Sequence, residues 1–260
     1  MMEIDKLNED HRDYVGALAS GLDVLNAFDE QHKKMTLSEV AQRTGMDRAK
    51  ARRFLLTLHS LGYVDKEGRL FLLTPKVLRL AYAFNATNDH LDVVQHYLHK
   101  VTNSIGESCS LSILDNKEIV YLVRSSAAHR LMSINLSPGT RLPAAYTSMG
   151  RVLLSQLSAN KQQEWLTLNE LTPHTENSIT DRDEFISLLK EIKLKGYCIV
   201  DQELELGLLS IAIPAFDFHG KLIGAINVST NSLRTSNEKL YNEYLPAIKY
   251  AAEQIHQHTK

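Results

Sequence analysis

Apolar residues at Val15, Leu18, Leu22, Leu25 and Phe28 recur every three or four positions, the spacing of one face of an amphipathic helix. The charged, aperiodic residues 1–13 before them read as a flexible arm. After the polar break DEQHKK, Leu37, Val40 and Ala41 make a short stripe. Thr36 and Glu39 stand at capping-box spacing around its start, and Gly45 ends it. Asp47 then caps a third helix, with Ala51, Phe54, Leu55, Leu58 and Leu61 on one face and Gly62 as its stop. YVDKEGRLFLL alternates around a Lys-Glu-Gly turn, the pattern of a β-hairpin.

Pro75 opens a different texture. Val77, Leu78, Leu80 and Ala81, then Leu91, Val94, Leu98 and Val101, predict linker helices over 76–104, serving as a hinge or a dimer surface. From residue 105 to 260 the pattern is that of a sheet with helices before and after it. SCSLSILDNKEIVYLVRS gives two strands about Asp115-Asn116, and RLMSINLS a third. Pro138-Gly139 turns into a helix from about Tyr146 to Leu157. LSANKQQEWLTL and TDRDEFISLLKEIKLKG follow as helices, with Ser158 and Thr180 as caps. Further strands in KGYCIVDQEL and LLSIAIPAFDFHGKLIGAINVST, turning at His219-Gly220, lead to a last helix, SNEKLYNEYLPAIKYAAEQIH. The predicted class is α+β.

Composition narrows the function classes. In 260 residues, 43% hydrophobic and 23% charged, a sizeable core is available. A net charge of −2 gives no chain-wide pull toward nucleic acid, so any basic surface must be local. Two cysteines, Cys109 and Cys198, make no disulfide framework, and the N-terminus lacks the apolar core of a signal peptide. Together these features predict a soluble cytoplasmic protein.

One local bias does stand out. Arg43, Arg48, Lys50, Arg52 and Arg53 face a single acid, Asp47, over eleven residues. Helix, short turn, helix and hairpin is the order of a winged helix-turn-helix, whose second helix enters the major groove by its N-terminal end. The basic cluster occupies that end. Arg48 and Arg52 are expected to make base or groove contacts and the other cations phosphate contacts, with Arg69 reaching from the wing. The alternative is a solvated helix face, but almost no acid sits one turn away to neutralise it. The DNA-facing set is Thr36, Ser38, Arg43, Asp47, Arg48, Lys50, Ala51, Arg52, Arg53 and Arg69.

LSEVAQRTGMDRAKARRFLLTLHSLGYV, LFLLTPKVLRL, PGTRLPAAYTSMGRVLLS and GYCIVDQELELGLLSIAIPAFDFHGKLIGAINVST, in that order, resemble an IclR-family transcriptional regulator from Tyr14 to His256. The resemblance implies a winged helix-turn-helix over 14–75, a linker helix and a GAF/PAS-like effector domain. It implies homodimers or homotetramers that bind double-stranded operator DNA and answer a small organic acid. RLPAAYTSMGR and YCIVDQELELGLLSIAIP are most similar to regulators of aromatic-acid catabolism, which sense protocatechuate, 4-hydroxybenzoate or ketoadipate.

Carried onto this sequence, the family's ligand loop falls on Ser148, Met149 and Gly150, with Leu142 as an apolar wall. A turn entering a helix there offers backbone N–H groups and the positive dipole end to an anion, and Gly150 leaves room for close approach. Arg141 reads as a carboxylate partner or as a surface arginine, and Tyr146 as a hydrogen-bonding or stacking residue or simple packing. The resemblance also brings in Leu208, Ser210, Asn227 and Ser229; Asn227 stands where relatives often carry Cys or Ser. Asp201 is the loosely aligned acidic contact, within a stretch that also reads as a solvated loop. Leu131 and Ile134 match pocket-lining positions, although strand alternation places them on opposite faces. Arg130, at the start of that strand, reads as an anion ligand or, in preference, as an edge charge.

Catalytic and metal patterns are missing from the sequence. His90, His96 and His99 share a helix without further ligands, and Cys109 sits in an alternating strand as a core residue. GxSxG, HExxH, Walker and GxGxxG motifs are absent, and Glu203 with Glu205 reads as two same-side strand residues. The expectation is a ligand-gated DNA-binding regulator with no cofactor, metal or membrane association. The alternative is a small-molecule enzyme on the same scaffold, which would act through Tyr146 or Asp201.

Overall fold

The computed structural model describes residues 10–88, 90–127 and 136–259. The chain forms two compact units, Met1–Thr87 and Asn88–Lys260, so the boundary falls inside the stretch read as linker helices.

In the first unit, α1 (Gly16–Asn26), β1 (Lys34–Thr36), α2 (Leu37–Thr44) and α3 (Arg48–Ser60) precede the hairpin β2 (Val64–Glu67) and β3 (Leu70–Leu73). Thr36 and Glu39 form the reciprocal capping box, and Gly45 closes α2 at φ +67°, a left-handed position suited to glycine. Asp47 Oδ1 accepts the Lys50 N–H at 2.8 Å and starts α3. Val24, Met35, Val40, Leu55, Val64 and Phe71 close the core. Two details differ from the sequence reading. The stripe Val15–Leu18–Leu22 points away from this core, which α1 meets through Ser20 and Val24 instead. Also, β1 adds a third strand by pairing with β3; three residues are too few for alternation to reveal it. A 3₁₀ turn (Pro75–Val77) leads into α4 (Leu78–Ala86), none of whose residues is buried.

In the second unit, α5 (His90–Ile105) precedes β4 (Ser108–Asp115), β5 (Glu118–Ser125) and β6 (Arg141–Pro143). Three helices follow: α6 (Ser148–Gln156), α7 (Ala159–Leu168) and α8 (Arg182–Lys195). The strands β7 (Cys198–Asp201), β8 (Leu208–Phe216) and β9 (Leu222–Asn231) then complete an antiparallel sheet of order β6-β5-β4-β9-β8-β7. A short α9 (Asn237–Lys239) and a π-helical turn (Leu240–Tyr244) run into α10 (Leu245–His258). The helices α5 and α10 cover one sheet face over Leu111, Ile211, Ile226 and Val228. The opposite face, with Tyr121, Ala212 and Ala225, packs against α6, α7 and α8. The cap of α8 is Asp181, not Thr180: its carboxylate accepts the Glu184 N–H at 2.8 Å. Glu203 and Glu205 lie in the loop between β7 and β8, not on a strand. The predicted strand RLMSINLS falls mostly outside the described residues.

A bulge in β5 shapes the site. Leu111 pairs with Val123 but Ser112 pairs with Tyr121, so Leu122 is an extra residue. Alternation therefore skips, and Tyr121 and Arg124 lie on the same sheet face.

Candidate DNA-binding helix and effector pocket

Arg48, Lys50, Arg52 and Arg53 are all exposed on the first turns of α3. At about 100° per residue, Arg48 and Arg52 share one flank of the helix, and Lys50 and Arg53 share the other. Among the described residues none of the four is in an ion pair, so their charge is unneutralised within the unit. Arg69 is exposed at the hairpin turn beside Gly68, and Ser38 on the first turn of α2.

The other candidates serve the fold. Ala51 is fully buried beneath α3 and cannot meet DNA. Arg43 folds inward: Nε donates to the Ala27 carbonyl at 2.9 Å and Nη2 to Asp29 at 2.6 Å, tying α2 to the end of α1. The Thr36 hydroxyl is engaged in the capping box, and the exposed Asp47 carboxylate caps α3, where its charge would repel a phosphate.

In the second unit, Leu142, Tyr146, Ser148, Met149, Leu208, Ser210, Asn227 and Ser229 do converge. With Tyr121, Thr147 and Leu204 they line a small cavity of ≈ 20 Å³. The cap of α6 is Thr147, whose hydroxyl accepts the Gly150 N–H at 3.1 Å. That leaves the Ser148 and Met149 N–H groups in the first turn, where no intrahelical acceptor exists. Tyr146 Oη, Ser148 Oγ and Asn227 Oδ1 are buried without a hydrogen-bond partner. Burial also raises the Tyr146 phenol above its ordinary range, so it keeps its proton.

Gly150 has a different role from the expected one. A Cβ there would lie 2.1 Å from the Ala144 carbonyl oxygen, so the glycine lets α6 pack on the preceding turn rather than admitting a ligand. Arg141 is likewise not a free cation. It pairs with Asp115 at 2.6 Å and Glu118 at 2.8 Å, and these bonds hold its charge more firmly than usual. Asp201 is exposed at the end of β7 and does not line the cavity. Leu131, Ile134 and Arg130 lie outside the described residues.

Two features were not found in the sequence. Arg124, brought to the pocket face by the bulge, opposes Ser110 on β4, which in turn opposes Asn227 on β9. Its Nη1 donates to Ser110 Oγ at 3.1 Å, and among the described residues it has no carboxylate partner. Desolvation lowers its pKa. Second, Arg151 and Glu203 form a buried two-point ion pair with both N–O distances at 2.5 Å. Arg151 Nε also donates to the Ala145 carbonyl at 2.7 Å, and the Ile179 N–H donates to Glu203 at 3.0 Å. The pair thus joins the turn bearing Tyr146 to the loop bearing Leu204. Nothing in the spacing of Glu203 and Glu205 marks which of them is buried. His96 and His99 are exposed, and among the described residues no group of three His, Cys, Asp or Glu side chains could hold a metal.

Residues 17–68 match the IclR helix-turn-helix domain, and residues 86–257 match the C-terminal domain of the bacterial transcriptional regulator IclR. The chain belongs to the IclR family. Within that family it is 37% identical to the Pca regulon regulatory protein of Pseudomonas putida, over 94% of this chain and 84% of that protein. A Rhodococcus sp. RHA1 transcriptional regulator of known structure matches with TM-score 0.80 and 42% identity, over 94% of this chain and 98% of that one. The inducer-binding domain of the Acinetobacter PobR transcription factor, solved as a double mutant with 3-hydroxybenzoic acid, is 30% identical with TM-score 0.60. It covers 64% of this chain and 97% of that domain. As an IclR-family member the chain is a DNA-binding transcriptional regulator, and the enzyme alternative is set aside. Among the described residues no helix is long and apolar enough to cross a membrane.

Proposed function

We propose that this regulator senses a small aromatic acid in the cavity beside the α6 N-terminus and thereby adjusts its hold on an operator. The observation that carries the reading is that three residues with unpartnered buried polar atoms, Tyr146, Ser148 and Asn227, line one small cavity, with an uncompensated guanidinium on the same sheet face. Buried polar groups are nearly always hydrogen-bonded, so three orphans in one place mark a position that a ligand fills. Arg124 and the first-turn N–H groups of α6 supply donors for a carboxylate. The 3-hydroxybenzoic acid held by the PobR domain is a ligand of this chemistry.

At ≈ 20 Å³ the cavity takes about one water, whereas a dry site for a benzene ring is ~150 Å³. The walls must therefore move on binding. Tyr146 lines both this cavity and an outer cleft of ≈ 420 Å³ flanked by Trp165 and His174, so its displacement would join the two and give a ring a route inward. A ligand that binds the opened form biases the protein toward it, and that shift is the source of coupling to DNA.

In this reading residues 14–75 bind DNA through α3 and the hairpin, 76–104 link, and 105–260 hold the effector. The working form is a cytoplasmic homodimer or homotetramer. Supporting this, Leu78, Leu80 and Tyr82 on α4, Val15 just before α1 and Leu18 on it are more than half exposed. A nine-residue helix that buries nothing is marginal in water and needs a partner surface. The test is a thermal-shift series with aromatic acids and 3-oxoadipate, paired with binding to the protein's own promoter DNA. Saturation at 100 times the dissociation constant should add ~2.7 kcal/mol to stability and change operator affinity. No shift with any acid, or equal binding to random DNA, would refute the proposal.

A further inference from the structure

The backbone around Tyr146 is pinned, but its side chain is not. Arg151 Nε holds the Ala145 carbonyl on one side, and the Thr147 hydroxyl is committed to the α6 cap on the other. Ala144 also packs directly on Gly150. Opening the cavity at this wall therefore falls to the Tyr146 ring itself. No hydrogen bond restrains the ring, because Oη is unpartnered among the described residues. Instead the ring meets the imidazole of His174 in a T-shaped contact, with centroids 5.1 Å apart and planes at 68°. His174 lines the outer cleft and not the cavity, so this contact lies on the outer side of the ring.

His174 belongs to an irregular strap, residues 170–180, between α7 and α8. Its imidazole is exposed, but the strap beneath it is tied down. The His174 and Thr175 N–H groups both donate to Ser178 Oγ at 3.0 Å. Thr175 Oγ1 donates to the Gln202 carbonyl and Ser178 Oγ to the Glu203 carbonyl, each at 2.7 Å. The strap is thus fastened to the loop that carries Leu204, and it holds His174 against Tyr146. Resting on the reading of the cavity as the effector site, we infer that the Tyr146–His174 contact is a latch on the ligand-free state, which sets the effector concentration to which the regulator answers. His174 is a positioning residue: it does not line the cavity and does not choose the ligand. A ligand that binds the opened form must break the latch, and its apparent affinity is reduced by the fraction of molecules that are open. A contact of this geometry is worth about 3- to 10-fold in the ratio of closed to open forms. Removing it should tighten binding, whereas removing a ligand contact would weaken it.

The test uses the full chain with 3-hydroxybenzoate and 4-hydroxybenzoate. Isothermal titration gives the affinity, and stopped-flow fluorescence of Trp165, which lines the outer cleft, gives the rates. His174→Ala should bind the acid ~3- to 10-fold more tightly, with the gain in the association rate and the dissociation rate unchanged. The acid concentration that half-shifts operator binding should fall by the same factor. His174→Phe keeps an aromatic edge against Tyr146 and should behave as the unaltered protein. Thr175→Val loosens the strap without changing either ring and should move the affinity in the same direction as His174→Ala. Weaker binding by His174→Ala through faster dissociation would make His174 a ligand contact and overturn the inference. Rates equal to those of the unaltered protein would overturn it as well, and both results leave the effector site intact. If neither acid binds the unaltered protein, the effector reading fails and the latch falls with it.

Discussion

Replacing Glu203 with alanine removes the anion from the ion pair behind the cavity. The Arg151 side chain is only 2% exposed, so its guanidinium would be left buried without a counter-charge. The same change removes two charge-assisted N–H···O bonds at 2.5 Å and the acceptor of the Ile179 N–H. Breaking one side of such a pair costs about 3–5 kcal/mol, because the stranded charge adds its desolvation penalty to the broken hydrogen bonds. With a urea slope of ~2 kcal/mol per molar, the unfolding midpoint should fall by about 1.5–2.5 M. The assay is built into the chain. Trp165 is the single tryptophan; its indole donates to the Asn116 carbonyl at 2.7 Å and its ring stacks on Phe185. The Arg151 guanidinium lies 5.5 Å from the centre of that same Phe185 ring. Urea melts followed by Trp165 fluorescence therefore read the affected unit directly. Arg151→Met with Glu203→Leu should recover at least half of the loss, since an apolar pair carries no stranded charge. A loss below ~1 kcal/mol in Glu203→Ala would refute the assignment of the pair as a buried clamp.

Three further outcomes follow from the geometry. Changing Arg48 and Arg52 together to alanine should weaken operator binding more than binding to random DNA, whereas changing Lys50 and Arg53 should flatten the salt dependence by ~0.9 for each phosphate no longer neutralised, both measured by fluorescence anisotropy across a salt series; operator affinity unchanged by the Arg48 and Arg52 pair would refute their base or groove contacts. Gly150→Ala should destabilise the second unit or prevent its folding, because the new methyl meets the Ala144 carbonyl oxygen at 2.1 Å; a melt like that of the unaltered protein would contradict the packing. Burial lifts the Cys198 thiol from 9.0 to about 12. The native state thus holds this proton more tightly than the unfolded one, and its contribution is fully present below pH 9 and lost as pH rises toward 12. Neither Cys198 nor Cys109 should react with a thiol reagent in the native protein near pH 8, and both should react in denaturant.

Local chemistry was legible in the sequence wherever it acts over three or four residues. The Thr36–Glu39 box, the Asp47 and Ser158 caps and the Gly45 stop all stand in the structure as the spacing predicts. Long-range commitments were not legible. Arg43 resembles its basic neighbours in sequence, yet a folded-back loop supplies Asp29 and the Ala27 carbonyl to it. Arg141 likewise meets acids 23 and 26 positions away. Arg124 was hidden for a different reason. Strict alternation assigns it to the wrong face, and only the extra residue at Leu122 turns it toward the cavity. Helix periodicity also found the apolar stripe of α1 without revealing that this stripe faces away from its own core. An amphipathic pattern identifies a face to be covered but not what covers it.

Everything proposed for the second unit requires an aromatic acid to bind between the α6 N-terminus and the β8–β9 floor. A crystal structure of the protein grown with 3,4-dihydroxybenzoate tests it directly. The expected result is the ring enclosed by Tyr146, Leu142 and Leu208, with Ser148 and Asn227 hydrogen-bonded to the ligand and the cavity enlarged from ≈ 20 Å³ by displacement of Tyr146 or Leu204. A ring bound only in the outer cleft beside Trp165, with Ser148 and Asn227 still unpartnered, would contradict it.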